Sequence, residues 1–159
     1  MVFGSSNKCL DVLREAKKRL KEEGVKSILD EDEQKLVVPA QAGDLELIYN
    51  AVCIDKKRIR VISVIREVEK KLGELDEKKR LELLRKLLLV PASLKVSVAI
   101  DHDGDLIFEP WVSSLGEASW EEVEHSLSLF ALFAKWLDKQ LKNAREGKPL
   151  EDFELKKQS

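Results

Sequence analysis

The sequence is poor in the residue types that mark several protein classes. Its 159 residues include 2 cysteines, 4 prolines and 7 glycines. Two cysteines are too few for the disulfide framework of a small secreted domain, and the scattered glycines form no phosphate-binding loop. No window approaches the roughly 18 apolar residues of a membrane-spanning helix, and residues 1–8 lack the pattern of a signal peptide. We therefore expect a cytoplasmic protein without a membrane anchor.

An excess of one charge is missing as well. The 28 basic and 30 acidic side chains leave a formal charge of −2, and the two signs are interspersed along the chain. This is not the basic footprint by which proteins bind nucleic acid or anionic lipid. Apolar residues make up 43% of the chain, which is ample for one hydrophobic core. Abundant Lys and Glu with a single Met are typical of heat-adapted proteins, so we predict a thermophilic source.

Hydrophobic periodicity predicts an α+β fold with the order α-β-β-β-α-β-β-α. An antiparallel β-sheet of about five strands is packed with three helices. The first helix is capped by Ser6 or Asn7, carries Cys9 on its apolar face and ends at Gly24. The strands are predicted at residues 36–38, 45–54, 58–65, 94–100 and 106–112, with a weaker β signal at residues 25–29.

The strands at residues 45–54 and 58–65 carry apolar residues on both alternation phases. This predicts central strands that are covered on both faces. The second helix follows Asp76 and ends at Pro91. Its predicted apolar face consists of Leu81, Leu84 and Leu88, flanked by Leu83 and Leu87.

The final helix begins at Ser119 and reaches about Asn143. One apolar stripe is sufficient to pack it on the sheet. A second stripe, nearly opposite, consists of Leu129, Leu132, Phe133 and Trp136. Large uncovered apolar patches usually mark interaction surfaces, so these residues are either a partner interface or the surface on which the chain's own tail docks.

The chain is predicted to form a single α+β domain over residues 1–147. Residues 148–159 are interpreted as a C-terminal tail, which is loose unless Leu150, Phe153 and Leu155 dock.

The cysteines and histidines are too dispersed for a catalytic or metal site. Cys9 and Cys53 form no C-x-x-C motif and lie at apolar positions, which favours small buried residues. His102 and His125 have no ligands at zinc-binding spacing and no nucleophile beside them. We therefore expect no cofactor, no metal ion and no catalytic residue.

Two charged clusters have alternative interpretations. Asp101, Asp103 and Asp105 could offer oxygen ligands to a cation, but their spacing does not match an EF-hand and Asp103-Gly104 favours a tight hairpin turn. The basic cluster could contact phosphates, although its acidic surroundings favour a solvated turn. The cluster consists of Lys56, Lys57, Arg58 and Arg60.

The stretch RLELLRKLLLVPASLKVSVAIDHDGDLIFEPWVSS, followed by SWEEVEHSLSLF, combines a Leu-rich helix, a strand, an Asp-Gly turn, a second strand and a Ser-capped helix. This pattern resembles the YbjN-like branch of the type III secretion chaperone-like superfamily. The likeness covers residues 10–141 in element order and is residue-specific over residues 81–132. It implies a small α+β domain, often homodimeric, that holds a protein segment and has no enzymatic activity. The connection at residues 66–79 and the tail from Lys148 have no counterpart in that group.

Three functional hypotheses follow. The leading one is a non-enzymatic, chaperone-like or adaptor domain that forms a homodimer and binds another protein chain or peptide segment. One alternative is a nucleic-acid accessory protein that uses the basic hairpin tip. The other is an enzyme with a dispersed site, in which pairs such as Asp101 and Asp103 act as acid and base.

Overall fold

A computed structural model of the chain describes residues 6–110 and 117–155. Over these residues the elements are α1 (Lys8–Glu22), β1 (Ile28–Asp30), β2 (Lys35–Ala42), β3 (Leu45–Cys53), β4 (Ile59–Ile65), α2 (Val68–Gly73), α3 (Glu77–Ser93), β5 (Val96–Ile100), β6 (Leu106–Pro110) and α4 (Trp120–Arg145). Residues 1–5 and 156–159 of the predicted domain and tail, and residues 111–112 of the predicted last strand, lie outside the described ranges.

The strands form one antiparallel sheet in the order β1-β2-β3-β4-β6-β5. α1 packs on β1, β2 and β3, while α4 lies across β2, β3 and β4. α3 lies beside β5 and α4. The α+β class is confirmed, but the described residues contain six strands and four helices instead of five and three. The additions are β1, which gave only a weak signal, and α2, which is too short to show a helical period.

The core lies between the helices and one face of the sheet. The rings of Phe108 on β6 and Phe133 on α4 stack with centroids 4.6 Å apart, and Trp136 is fully buried next to them. Tyr49 of β3 points into the same layer, where its hydroxyl lies 2.8 Å from Ser126 Oγ. Burial raises the pKa of Tyr49 well above its usual value. This face of the sheet is therefore dry and closely packed.

α1 is fastened to the sheet by a disulfide. Asn7 caps the helix by accepting a hydrogen bond from Leu10 N, as predicted. Cys9 and Cys53 are joined, with Cα atoms 5.9 Å apart, and neither is a free thiol. The interpretation of both as unpaired buried residues is wrong. Their sequence separation of 44 hid the proximity, which arises because α1 packs across the end of β3.

α3 buries a different stripe from the predicted one. Leu83, Leu87 and Val90 face the core, whereas Leu81 and Leu88 are 60% and 74% exposed. The helix also continues past Pro91 to Ser93. Pro91 has no N–H to donate to the carbonyl of residue 87, so this end of the helix lacks one backbone hydrogen bond. The leucines on α3 lie on both sides of the helix, so their period alone could not select the buried side.

The C-terminal tail docks on α4. Leu150 and Phe153 are buried, while Leu155 remains 43% exposed. The backbone is held at Glu151, whose N–H donates to Gln140 Oε1 at 2.7 Å. The described part of the tail is therefore a packed segment, which is the docked alternative for Leu150 and Phe153.

None of the helices in the described ranges combines the length and apolar character required to span a bilayer.

Candidate protein-binding surface

Alternate residues of β3 and β4 point to opposite sides of the sheet. On the helix side, Leu47, Tyr49, Val61 and Ile65 are at most 3% exposed. These residues are the ones that α1 and α4 cover. The core thus contains one of the two alternating sets of apolar residues on each strand.

The residues of β3 and β4 that point to the other side of the sheet include four apolar ones outside the core. Ile48 and Val52 on β3, and Ile62 and Val64 on β4, are all partly exposed. None of them joins the hydrophobic core or packs against it from outside. The prediction that these strands are covered on both faces is therefore not met by the described residues, because α1 and α4 pack on the opposite face. We call this side of the sheet the open face.

The strand register joins apolar residues into a continuous row across the open face. Pro39 pairs with Ile48, Ile48 with Val64, and Val64 with Ile107. Ile107 then pairs with Ala99 on the edge strand β5. Directly paired side chains lie about 4.5–5.5 Å apart on one face of a sheet. These five residues therefore form one uninterrupted strip over five strands, which we call the open-face band.

A second row runs parallel to the band. Its members, in register, are Ile28, Val37, Asn50 and Ile62. Ile28 is 61% exposed, and Asn50 Nδ2 donates to Ile62 O at 3.1 Å. An antiparallel sheet that faces water normally places polar residues on that side. Here β-branched apolar side chains occupy many of the solvent-facing positions, among them Ile28, Val37 and Ile62.

Charged residues flank the two apolar rows. Arg60 makes a two-pronged pair with Glu109, with nitrogen–oxygen distances of 3.0 and 3.1 Å. Arg66 Nε lies 3.4 Å from Asp105 Oδ2. The open face thus has an apolar centre and a polar rim in which both signs of charge are present, as in protein–protein interfaces.

Phe133 and Trp136, two of the four candidate interface residues, lie in the core, which agrees with the alternative that the tail docks on this stripe. Both are fully buried. Phe153 of the tail packs edge-on against each ring, at centroid distances of 6.0 and 5.6 Å. Trp136 Nε1 donates to Glu151 O at 3.1 Å. The tail therefore covers this part of the second stripe, because it supplies both an aromatic ring and the acceptor that the buried indole N–H requires.

The remaining two predicted interface residues border a groove. Leu129 and Leu132 line a cavity of about 500 Å³ between α4, the α3–β5 connection and the tail. Glu122 and His125 lie at its edge, and burial raises the pKa of Glu122. Leu129 is 8% exposed, whereas Leu132 is partly exposed.

The basic hairpin tip is less basic than its sequence suggests. Asp55 accepts hydrogen bonds from Lys57 N and Arg58 N, and its carboxylate pairs with Arg58 Nε at 2.7 Å. The hydrogen bond from Lys57 N and those from Arg58 lower the pKa of Asp55. Arg60 is occupied by Glu109. Two of the four cations therefore have acidic partners in the chain itself.

The acidic turn is the predicted hairpin turn. Gly104 has φ +79°, which suits glycine. Asp101, Asp103 and Asp105 can bring one oxygen each within 4.8 Å of one another. Yet Asp101 Oδ1 accepts from the backbone N–H groups of Asp103 and Asp105, at 3.0 Å each, and Asp105 Oδ1 accepts from Glu67 N. Turn hydrogen bonds explain the cluster, and His102 and His125 are both exposed side chains.

The sequence did contain a signal for the open face. Apolar residues on both phases of β3 and β4 indicated that the second face is apolar, but the alternation could not show whether the same chain covers it. The row continues onto Pro39, Ile107 and Ala99, which lie on three further strands. Only the strand register joins them to the band.

The chain matches no protein-family model, no curated protein and no solved structure at a significant level. The resemblance to the YbjN-like group therefore stays a prediction, and function has to be argued from the surface itself.

Proposed function

We propose that this chain is a non-enzymatic protein-binding domain that presents its open face to another protein chain. The observation that carries this proposal is the open-face band, an apolar strip across five strands without a covering element among the described residues. Contiguous apolar patches on soluble proteins usually mark interaction sites. The polar rim with charges of both signs supports the same interpretation.

The proposal keeps the chaperone-like or adaptor hypothesis but moves its site from α4 to the sheet. An uncovered sheet face can accept another sheet or a pair of helices, since its side chains stand perpendicular to the sheet. The nucleic-acid alternative has less support because Arg58 and Arg60 are paired with Asp55 and Glu109. No observation on residues 6–110 and 117–155 favours the enzyme alternative over protein binding.

We also propose an intracellular location in a heat-adapted organism. A disulfide is unusual in a reducing cytoplasm but is common in intracellular proteins of hyperthermophiles. The Cys9–Cys53 bond and the Lys- and Glu-rich composition fit that setting together. A melting temperature in the ordinary mesophile range, about 45–65 °C, would contradict the heat-adapted source.

Site-specific photo-crosslinking tests the protein-binding proposal. A benzoylphenylalanine residue at position 48 places the crosslinker in the centre of the open-face band, and one at position 88 places it on the exposed side of α3. We expect position 48 to crosslink to a protein chain that is identified by mass spectrometry and that binds again when both components are purified. Position 88 serves as the control, because Leu88 is 74% exposed, more than Ile48, but lies on a helix and not on the open face.

The proposal fails if position 48 crosslinks to no protein chain in cells or at high concentration in vitro. It also fails if positions 48 and 88 capture the same set of proteins equally, because that result indicates general stickiness of exposed apolar residues.

A further inference from the structure

We infer that the occupant of the open face is a second copy of this chain, stacked sheet against sheet in a two-fold symmetric dimer. This inference rests on the proposed function, because it names the partner of the same surface. It is carried by the extent of the face, the width of the open-face band and its balanced charge.

The open face is large enough for a stable dimer. With about 4.8 Å between strands and 3.3 Å per residue, six strands of 3 to 9 residues present a face of roughly 600 Å². Two copies would then bury about 1,200 Å², which exceeds the roughly 1,000 Å² expected of a specific interface. The surface is thus not a minor contact that only a larger partner could complete.

The shape of the band favours a sheet over a single helix. The band crosses five strands, a width of about 19 Å, whereas a helix with its side chains is about 10–12 Å wide. One helix would leave almost half of the band in water. A second sheet covers the full width, with strands aligned within about 30° and the two layers about 10 Å apart.

The charges on the rim permit self-association. Arg60 and Arg66 are each paired with a carboxylate of their own chain, Glu109 and Asp105 respectively. Lys35 and Asp30 are in register with each other on neighbouring strands. Because no single sign dominates this rim, two copies can approach without the like-charge repulsion that a uniformly basic or acidic face would impose.

Two-fold symmetry determines which residues meet at the centre of the interface. In an isologous interface, residues near the axis contact their own counterparts. The centre of the open face lies between β3 and β4, where Val64 is flanked in register by Ile48 and Ile107. With the axis over this centre, Val64 of one copy lies close to Val64 of the other.

Charge variants at Val64 test this arrangement. We expect the wild-type chain, with a mass of 18.1 kDa, to sediment and scatter light as a particle of twice that mass. Val64→Lys and Val64→Glu each place like charges together at the axis, so each alone should weaken dimerisation by about 100-fold or more. An equimolar mixture of the two variants should dimerise again, because each interface then contains one lysine and one glutamate.

Matched controls separate this result from a loss of folding. Leu88→Lys and Leu88→Glu change an exposed leucine on α3 and should leave the dimer unchanged, both alone and mixed. Circular dichroism should show native spectra for all variants. Val64→Thr keeps the β-branched shape, and we expect it to fold normally while still weakening the dimer measurably.

Three outcomes would overturn the inference. The first is a wild-type chain that stays at 18.1 kDa at all concentrations while position 48 still crosslinks to a different protein; the proposed function would then survive. The second is a dimer that neither Val64 charge variant weakens. The third is a dimer lost in both variants but not restored by mixing them, although Val64→Thr folds and dimerises like the wild type.

Discussion

The two faces of this sheet are built from the same strands and similar residues, yet they have different physical roles. On β4, Val61 is fully buried under the helices, whereas Val64, three residues later, lies on the open face. The helix side is further fixed by ring packing, a disulfide and the docked tail. Hydrophobicity alone therefore does not place a residue in the core, because an apolar face is buried only if another element lies over it.

The largest expected effect is on the helix side. Trp136→Ala removes a fully buried ring together with the hydrogen bond to Glu151 O, so we expect the free energy of unfolding to fall by about 3–5 kcal/mol. Urea denaturation measures it. As an open-face counterpart, Ile107→Ala should cost clearly less. If both substitutions cost the same, the distinction between the two faces is lost.

The disulfide should contribute nearly as much. Replacing Cys9 and Cys53 by alanine frees a loop with a sequence separation of 44, for which chain entropy predicts a loss of about 3–4 kcal/mol. Thermal unfolding with and without reductant checks this. Reductant should lower the melting temperature of the wild type and leave the double-alanine variant unaffected. A wild-type protein whose melting temperature does not change with reductant, and whose cysteines react with a thiol reagent without prior reduction, would contradict the disulfide.

The most direct comparison of the two faces replaces valine by threonine at two positions of β4, and its expected effect is smaller. Val61→Thr places a hydroxyl in an apolar layer, and we expect it to lower the free energy of unfolding by about 1–3 kcal/mol. Val64→Thr should change the free energy of unfolding of the monomer by no more than about 0.5 kcal/mol. Both are measured at a chain concentration at which light scattering reports monomers. Equal costs would indicate that the open face is covered within the chain.

The smallest expected effect is electrostatic and concerns Glu122 in the groove on α4. Burial raises the folded-state pKa of Glu122 above 4.5, so ionisation disfavours the folded state. This penalty is absent below pH 4.5 and develops as the pH rises through the folded-state pKa. Glu122→Gln removes it, so the stability of the variant relative to wild type should increase as the pH is raised from 3 to 7. A difference that is flat or decreases with pH would contradict the shift.

The sequence predicted the class and position of most elements because their signals are local. Asn7 and Ser119 cap α1 and α4 as expected, and Gly104 turns the last hairpin. β1 and α2 were missed or weak because elements of 3 and 6 residues are too short to display a period.

The sequence could not show whether the second apolar stripe of α4 is covered. The second stripe of α4 is apolar, as its sequence indicates, but Phe153 of the tail covers Phe133 and Trp136. Exposed apolar side chains are found instead on the open face and at Leu81 and Leu88 of α3. Periodicity shows that a side is apolar, whereas covering depends on segments that are distant in the chain.

The sequence by itself determined that this chain forms an α+β domain with more apolar surface on its strands and helices than one packed layer uses. The tertiary structure decided which of two equivalent phases meets the helices, which leucines of α3 are buried, and that Cys9 reaches Cys53. The reason is physical: local propensity fixes the direction of each side chain relative to its own element, but burial and covalent pairing depend on which surfaces meet across the fold.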